Sequence, residues 1–409
     1  MISRTDVLVI GGGATGTGIA RDLALRGVDV TLVDRDGLAA GASGRSHGLL
    51  HSGARYAESD PEGALECLEE NRTLRDIAGE CVRETRGLFV QLSEDDSAYF
   101  ESKRTACAEI GIPTEVIDGE TARAEVPGLA DDVERAMWVP DGVVVPSRLV
   151  AANAADARDH GAQIYPHAPV TEMTVTDERI ESVSLGGDID ETVEPAYVVN
   201  AAGAHAGSVA ELAGVTVEMR PTRGVMISVE YDGLEPVVNR CRDPADGDII
   251  VPHDDEVVLG TTSVPVDDPD EYERSDWEVE QTMTECAAML PSVAEADHVR
   301  TWWGVRPLYE PEEAARGGRG ISRGFHRLDH ATDGVENFVS IVGGKLTTYR
   351  VMAEATADLV CDRLGVDTVC STADTRLPGA TESSTLDAFV DEFDGQGPTD
   401  PDLVGRGET

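Results

Sequence analysis

The sequence predicts an α/β fold: a parallel-sheet βαβ domain interrupted twice by a second domain with a mixed sheet. Three observations predict it. A glycine turn, Gly11 to Gly18, lies between two short apolar runs, Asp6–Ile10 and Val28–Val33, with helix formers at Ile19–Arg26. The same strand-then-glycine signature recurs mid-chain, where 196–200 runs into Ala201-Ala202-Gly203, and late, where 338–342 runs into Gly343-Gly344. Between these pieces lie blocks, 82–145 and 215–310, in which strand-like runs such as 225–230, 249–252 and 257–262 alternate with polar turns. The expected division is a discontinuous first domain (1–81, 146–214 and 311–372), an inserted domain (82–145 and 215–310), and an acidic tail at 373–409 that is rich in Gly and Pro. Helices are expected at 62–84, 146–160, 277–290 and 346–364.

The first turn carries the most specific chemistry. Gly11-Gly12-Gly13-Ala14-Thr15-Gly16 matches GxGxxG. The first glycine permits the tight turn, the second lets a pyrophosphate approach the backbone, and the third lets helix and strand pack closely. Asp34 ends the second strand 18 residues after Gly16, where a carboxylate accepts from ribose hydroxyls and repels a 2′-phosphate. The unit therefore predicts a dinucleotide other than NADP. It does not choose between NAD and FAD. The late turn does more: a second helix start, Gly343-Gly344-Lys345-Leu346-Thr347-Thr348, suits a long cofactor whose flavin gathers negative charge on reduction.

Charge and composition narrow the partners. With 33 basic and 78 acidic residues the net charge is −45, which excludes nucleic acid and a polybasic membrane anchor. Such a surface repels itself in dilute buffer and is screened at molar salt, where the Debye length is about 3 Å. A host with high internal salt is expected. Lysine occurs only at Lys103 and Lys345. Lys103 lies in a polar stretch and reads as surface, whereas Lys345, inside an apolar strand-to-helix turn, reads as functional. The seven cysteines are scattered, with no CxxC and no Cys/His cluster at metal spacing, so reduced thiols, a cytoplasmic setting and no bound metal are expected. No signal peptide and no apolar run of about 20 residues is present, so membrane contact is expected only through partners.

With these residues in view, the sequence resembles the FAD-dependent glycerol-3-phosphate dehydrogenases, most of all the catalytic subunit of the anaerobic, multi-subunit type. The segments that carry the resemblance are GGGATGTGIARDLALRG (11–27), GRSHGLLHSGARYA (44–57), NRCRDPADGDIIVP (239–252), LGTTS (259–263), WGVRPLY (303–309), ISRG (321–324) and GGKLTTYRVMAE (343–354). The resemblance implies an FAD-binding, Rossmann-like flavoprotein domain with an inserted α+β substrate domain, as in D-amino-acid oxidase. It implies oxidation of sn-glycerol 3-phosphate to dihydroxyacetone phosphate, with companion subunits passing electrons to quinone at the inner face of the cell membrane. Arg55, Tyr56, Arg306, Arg323 and Lys345 are the implied substrate residues. Arginine forks suit phosphate, and a cation beside the reacting hydroxyl stabilises a developing alkoxide. The expected FAD contacts are Gly11, Gly13, Ala14, Thr15, Gly16, Asp34, Arg35, Ser43, Gly44, Gly48, Leu49, Ala202, Gly203, Gly344, Lys345, Leu346 and Thr347.

Two departures bear on mechanism. Met226 stands where some relatives carry histidine, which leaves His51, His253 or water beside the arginines to take the hydroxyl proton; Arg306, Lys345 and His51 are the expected catalytic set. The chain also lacks the cysteine-rich extension usual in that catalytic subunit, so either it is a shortened version or it passes electrons on directly. Two other readings stay open on the sequence: an amine or 2-hydroxy-acid oxidase of the same fold, and a flavin-binding assembly subunit without turnover.

Overall fold

The computed structural model describes residues 4–309, 324–395 and the backbone of 403–405. Five of its strands form a parallel sheet in the order Phe338–Gly343, Glu191–Asn200, Arg4–Ile10, Val30–Val33 and Gln163–Tyr165. Val170–Thr176, Arg179–Leu185 and Phe325–Asp329 extend it with antiparallel pairings. The first strand shows why a continuous apolar run marks a doubly covered sheet. Val7 and Val9 face one core, shared with the helices Ala14–Leu25, Pro146–Asp159 and Tyr349–Leu364; Leu8 and Ile10 face another, which includes Ala206 and Ala210 of the helix Ala206–Leu212. In register, Ile10 lies between Val33 and Asn200, and Asn200 faces Ser340. The carboxyl ends of the strands thus form one edge, and the glycine turns follow from it. In open α/β sheets ligands bind at that edge.

The second sheet has ten strands and draws them from 87–139, 222–306 and 403–405. Its pairings are antiparallel apart from Val237–Arg240 beside Gly87–Leu92. One face carries Leu88, Val90, Val225, Ile227 and Leu259 under the helix Asp276–Met289. The other carries Met226, Val258 and Trp302, and Met226 reaches the cavity described below. A small three-stranded sheet, Leu49–Leu50, Gly142–Val144 and Val82–Arg83, ties the loop after the first βαβ unit to the second sheet's segment.

Three expectations need correction. The helix expected at 62–84 ends at Ile77, and Val82–Arg83 is a strand of the small sheet. The first helix begins at Ala14, inside the glycine motif rather than after Gly18, because the motif's last glycine is already helical. The segment from 373 is not merely an acidic tail. Its helix Ser383–Glu392 buries Leu386 and Val390, and Phe393 joins the core beside the helix Pro146–Asp159. Arg148 grips Asp387 through two bonds (2.7 and 2.9 Å), and Arg158 pairs with Glu392.

Candidate active site

The edge of the parallel sheet and the inner face of the second sheet enclose a cleft of about 380 Å³. On the side of the first sheet it is lined by Ala14, Thr15 and Ser43, carried by a tightly packed turn whose Gly11, Gly13 and Gly16 are not themselves in the lining. A Cβ at Gly11 would lie 2.4 Å from the Ala201 carbonyl oxygen, and the residue holds φ +114°, which favours glycine. A Cβ at Gly16 would lie 1.8 Å from the Gly11 carbonyl oxygen. Strand, turn and helix therefore touch backbone to backbone. The helix Ala14–Leu25 starts without an acidic residue in its first turn and without a side-chain cap from Gly13; Ala14 N–H donates to Ser43 Oγ at 3.0 Å. A helix end of this kind is an anion site.

Asp34 lies at the end of the second strand, as expected. Its carboxylate accepts from Gly12 N at 2.5 Å and Asp36 N at 2.8 Å. Burial pushes its pKa up, and the two N–H groups oppose that shift. Arg35 points elsewhere: it is half-exposed and held by Asp270 through two bonds of 2.6 and 2.9 Å. Asp270 also binds His205 at 2.9 Å, and its pKa lies below the ordinary carboxylate range because of the Arg35 fork. Of the other expected cofactor residues, Ala14, Thr15, Ser43, Leu49, Gly344, Lys345 and Leu346 line the cleft. Thr347 Oγ1 accepts from His51 N at 3.0 Å. Gly44, Gly48, Ala202 and Gly203 do not line it; they shape the turns around it.

The lining also carries charge, drawn from both sheets and the loop between them. Arg45, Arg55, Arg306 and Lys345 line the cleft, and Asp60 is the one acid among the described lining residues. Lys345 Nζ is buried without a hydrogen-bond partner among the described residues, 3.9 Å from Asp60 Oδ2 and 4.7 Å from the centre of the Tyr56 ring. A buried ammonium left so exposes a demand for a ligand oxygen or nitrogen. Arg306 is fixed from behind: it donates to Thr261 Oγ1 (3.1 Å), Thr262 O (3.0 Å) and Arg223 O (3.4 Å). Those acceptors rest in turn on the fully buried Glu278, which accepts from Arg223 at 2.9 Å and from Thr262 Oγ1 at 2.7 Å. Arg55 stands 3.6 Å from the buried Asp248, itself held by Arg242.

Lys345, Arg306, Arg55, Tyr56 and His51 therefore share one cavity, although they come from opposite ends of the chain. His51 Nε2 is 3.4 Å from the Tyr56 hydroxyl. His253 does not line the cleft; its Nε2–H donates to the His47 carbonyl at 2.9 Å. Met226 does line the cleft, where it supplies an apolar surface. Arg323 lies outside the described residues. Sequence reasoning missed Arg45, Thr261, Thr262, Asp60 and Glu278; the LGTTS segment was the signal for the two threonines. Lys103, expected at the surface, is buried.

The residues fit a flavin dinucleotide: a glycine turn and helix start beside the cleft, an acid at the ribose position, and an unpartnered buried ammonium in the lining. Comparison with known proteins agrees. Residues 6–359 match the family model described as FAD dependent oxidoreductase (DAO). The chain is 50% identical over 402 residues to the A1 subunit of the anaerobic glycerol-3-phosphate dehydrogenase of Haloferax volcanii, covering 95% of this chain and 68% of that one. It is 45% identical over 390 residues to the corresponding subunit of Escherichia coli K12, covering 93% and 71%. It belongs to this family of anaerobic glycerol-3-phosphate dehydrogenase subunits. The dehydrogenase fold is matched by the crystal structure of a glycerol-3-phosphate dehydrogenase from Bacillus halodurans complexed with FAD, with a TM-score of 0.69 at 24% identity, covering 95% of this chain and 71% of that one. The cofactor of this dehydrogenase is FAD. Among its described residues no helix is long and apolar enough to cross a membrane, and no His/Cys/Asp/Glu group could hold a metal ion.

Proposed function

We propose that this dehydrogenase oxidises sn-glycerol 3-phosphate to dihydroxyacetone phosphate. One observation carries the reading: in a chain of net charge −45, four cations converge on one cleft that also holds the flavin-side turn. A dianionic substrate requires such a local reversal of field. Bound FAD supplies the hydride acceptor for C2. The chain's own residues do the rest. Arg55, with Tyr56 beside it, binds the phosphate as a fork. Arg306, aimed by Thr261 and Thr262, and the ammonium of Lys345 stabilise the negative charge that grows on the C2 oxygen. His51 takes the hydroxyl proton and is steadied by its backbone bond to Thr347 and its contact with Tyr56. The turns at Gly11–Gly16 and Gly344–Thr347, with Asp34 and Ser43, hold the cofactor. The relatives are each named as one subunit of a larger enzyme, which supports companion subunits that carry electrons to quinone and bring this chain to the membrane face.

The test is anaerobic reduction of the FAD-loaded protein in concentrated KCl, followed by flavin absorbance. Bleaching by sn-glycerol 3-phosphate, with none by glycerol, lactate, sarcosine or 2-hydroxyglutarate, is the expected result. Bleaching by the carboxylates instead, or none by any of them, would overturn the substrate assignment.

A further inference from the structure

Lysine is the residue this chain has all but discarded, so each of its two survivors occupies a place worth explaining. Lys345 faces the cleft. Lys103 does not, yet it is 1% exposed. It projects from the helix Ser97–Ile110 between Phe100 and Cys107, on the buried stripe of that helix. Its Nζ donates to Ala54 O at 3.0 Å and to Glu58 Oε2 at 2.7 Å. The rings of Phe89 and Tyr99 stand 5.2 and 5.4 Å from the same nitrogen. Ala54 and Glu58 flank Arg55 and Tyr56, which sit on a single 3-10 turn, Ala54–Tyr56, that has no side-chain cap of its own.

We propose that Lys103 is a positioning residue for the substrate wall: with Glu58 it fixes both ends of the turn that presents Arg55 and Tyr56 to the cleft. The inference rests on the reading of Arg55 as a phosphate ligand. A compact ammonium suits the place. It satisfies two oxygens on either side of the turn and turns its remaining charge to aromatic faces. A guanidinium would bring five donors in a rigid plane to a site where the lysine makes two bonds, to Ala54 O and Glu58 Oε2. The turn is worth fixing because three contacts depend on where it lies: Arg55 with Asp248 at 3.6 Å, Tyr56 with His51 at 3.4 Å, and the Tyr56 ring with Lys345 at 4.7 Å. One shift of the turn moves all three.

The experiment separates positioning from packing. Lys103→Met strands Glu58 in an apolar interior, so both stability and substrate binding suffer. The double variant Lys103→Met/Glu58→Met leaves no stranded charge, and replacing a buried ion pair by apolar groups of similar size often restores stability. It still removes the Lys103 donor from Ala54 O, which keeps only the long 3.5 Å bond from Ala57 N–H. The expected result in the FAD-loaded enzyme is a Tm that recovers in the double variant while KM for sn-glycerol 3-phosphate stays raised about tenfold, corresponding to about 1.4 kcal/mol, with kcat little changed. A KM that returns with Tm would make Lys103 a packing residue and overturn the proposal. Arg55→Gln is measured in parallel: an unchanged KM there refutes the phosphate role of Arg55 itself, whereas a raised KM there with a normal KM in the double variant refutes only the positioning role. Should the methionine variants not fold, Lys103→Gln keeps a polar donor too short to bridge both oxygens and carries the same comparison; a raised KM at unchanged Tm supports the proposal, and an unchanged KM overturns it.

Discussion

The two walls of the cleft hold their ligands by different means. The flavin-side wall rests on backbone packing: Gly11, Gly16 and Ala201 meet without side chains between them, and the start of the helix Ala14–Leu25 lines the pocket through Ala14 and Thr15. The substrate-side lining is charge: Arg306 is braced by Thr261 and Thr262 and Arg55 stands beside Asp248, whereas the Lys345 ammonium has no hydrogen-bond partner among the described residues. The first wall is intolerant of added atoms. The second is intolerant of lost charge. A cofactor that stays bound through many turnovers is suited by fixed shape, and a dianion that enters and leaves is suited by field and by forks that can let go.

The sharpest way to break that contrast is at Gly16. Gly16→Ala places a Cβ 1.8 Å from the Gly11 carbonyl oxygen, a backbone atom that cannot move without shifting the strand end. Overpacking of this kind costs about 1–3 kcal/mol or more. Most of it falls on the turn proposed to hold the pyrophosphate, so FAD affinity should drop about 100-fold. The check is FAD content of the purified variant by absorbance, with far-UV circular dichroism to show that the chain still folds. Full FAD occupancy would show that the wall is not shape-limited.

Arg306→Ala tests the other wall. It removes a cation while leaving Thr261, Thr262 and Arg223 O to water. Loss of one partner of a desolvated charge pair costs about 2–5 kcal/mol, so kcat/KM for glycerol 3-phosphate should fall about 100- to 1,000-fold. FAD content should stay near that of the wild type. Arg306→Lys should recover only part of the loss, because an ammonium has no planar fork. A variant that lost FAD along with turnover would dissolve the distinction between the walls.

The same contrast explains how much of the site is legible in the sequence. The backbone wall is mostly local: turn, helix start and Asp34 lie within 24 residues, and Gly16 is required by its contact with Gly11, although Gly11 itself meets the distant Ala201. The charged wall is not local. Arg55, Arg306 and Lys345 are brought together by two sheets, and only their resemblance-bearing segments singled them out among 31 arginines and two lysines. What was missed was mostly support. Glu278 reads as one acid among many on an amphipathic helix, until strand pairing sets it beneath Arg223 and Thr262. Lys103 could have been found, because Phe100, Lys103 and Cys107 follow the helical period of a buried stripe. The helix in the acidic tail was hidden in the same way: Leu386, Val390 and Phe393 recur at helical spacing, but Asp387, Asp391, Glu392 and Asp394 dominate the composition.

The smallest expected effect concerns a histidine that stands behind the walls rather than in them. His253 is held neutral: burial lowers its pKa most, against the bond to the His47 carbonyl, and Arg83 and Arg300 lower it further against Asp254. In the unfolded chain it titrates near 6.5. A group with a depressed folded pKa leaves the unfolded state binding more protons, so stability is full above about pH 6.5 and is lost as pH falls through the folded value. His253→Gln keeps an N–H donor for His47 O and removes the titration. Its Tm should therefore vary less than that of the wild type between pH 7 and 5, by on the order of 2–4 °C. Turnover at pH 7 should not change, because His253 does not reach the cleft. Loss of turnover with an unchanged Tm profile would instead place His253 in the proton path and remove it from the scaffold to which it is assigned.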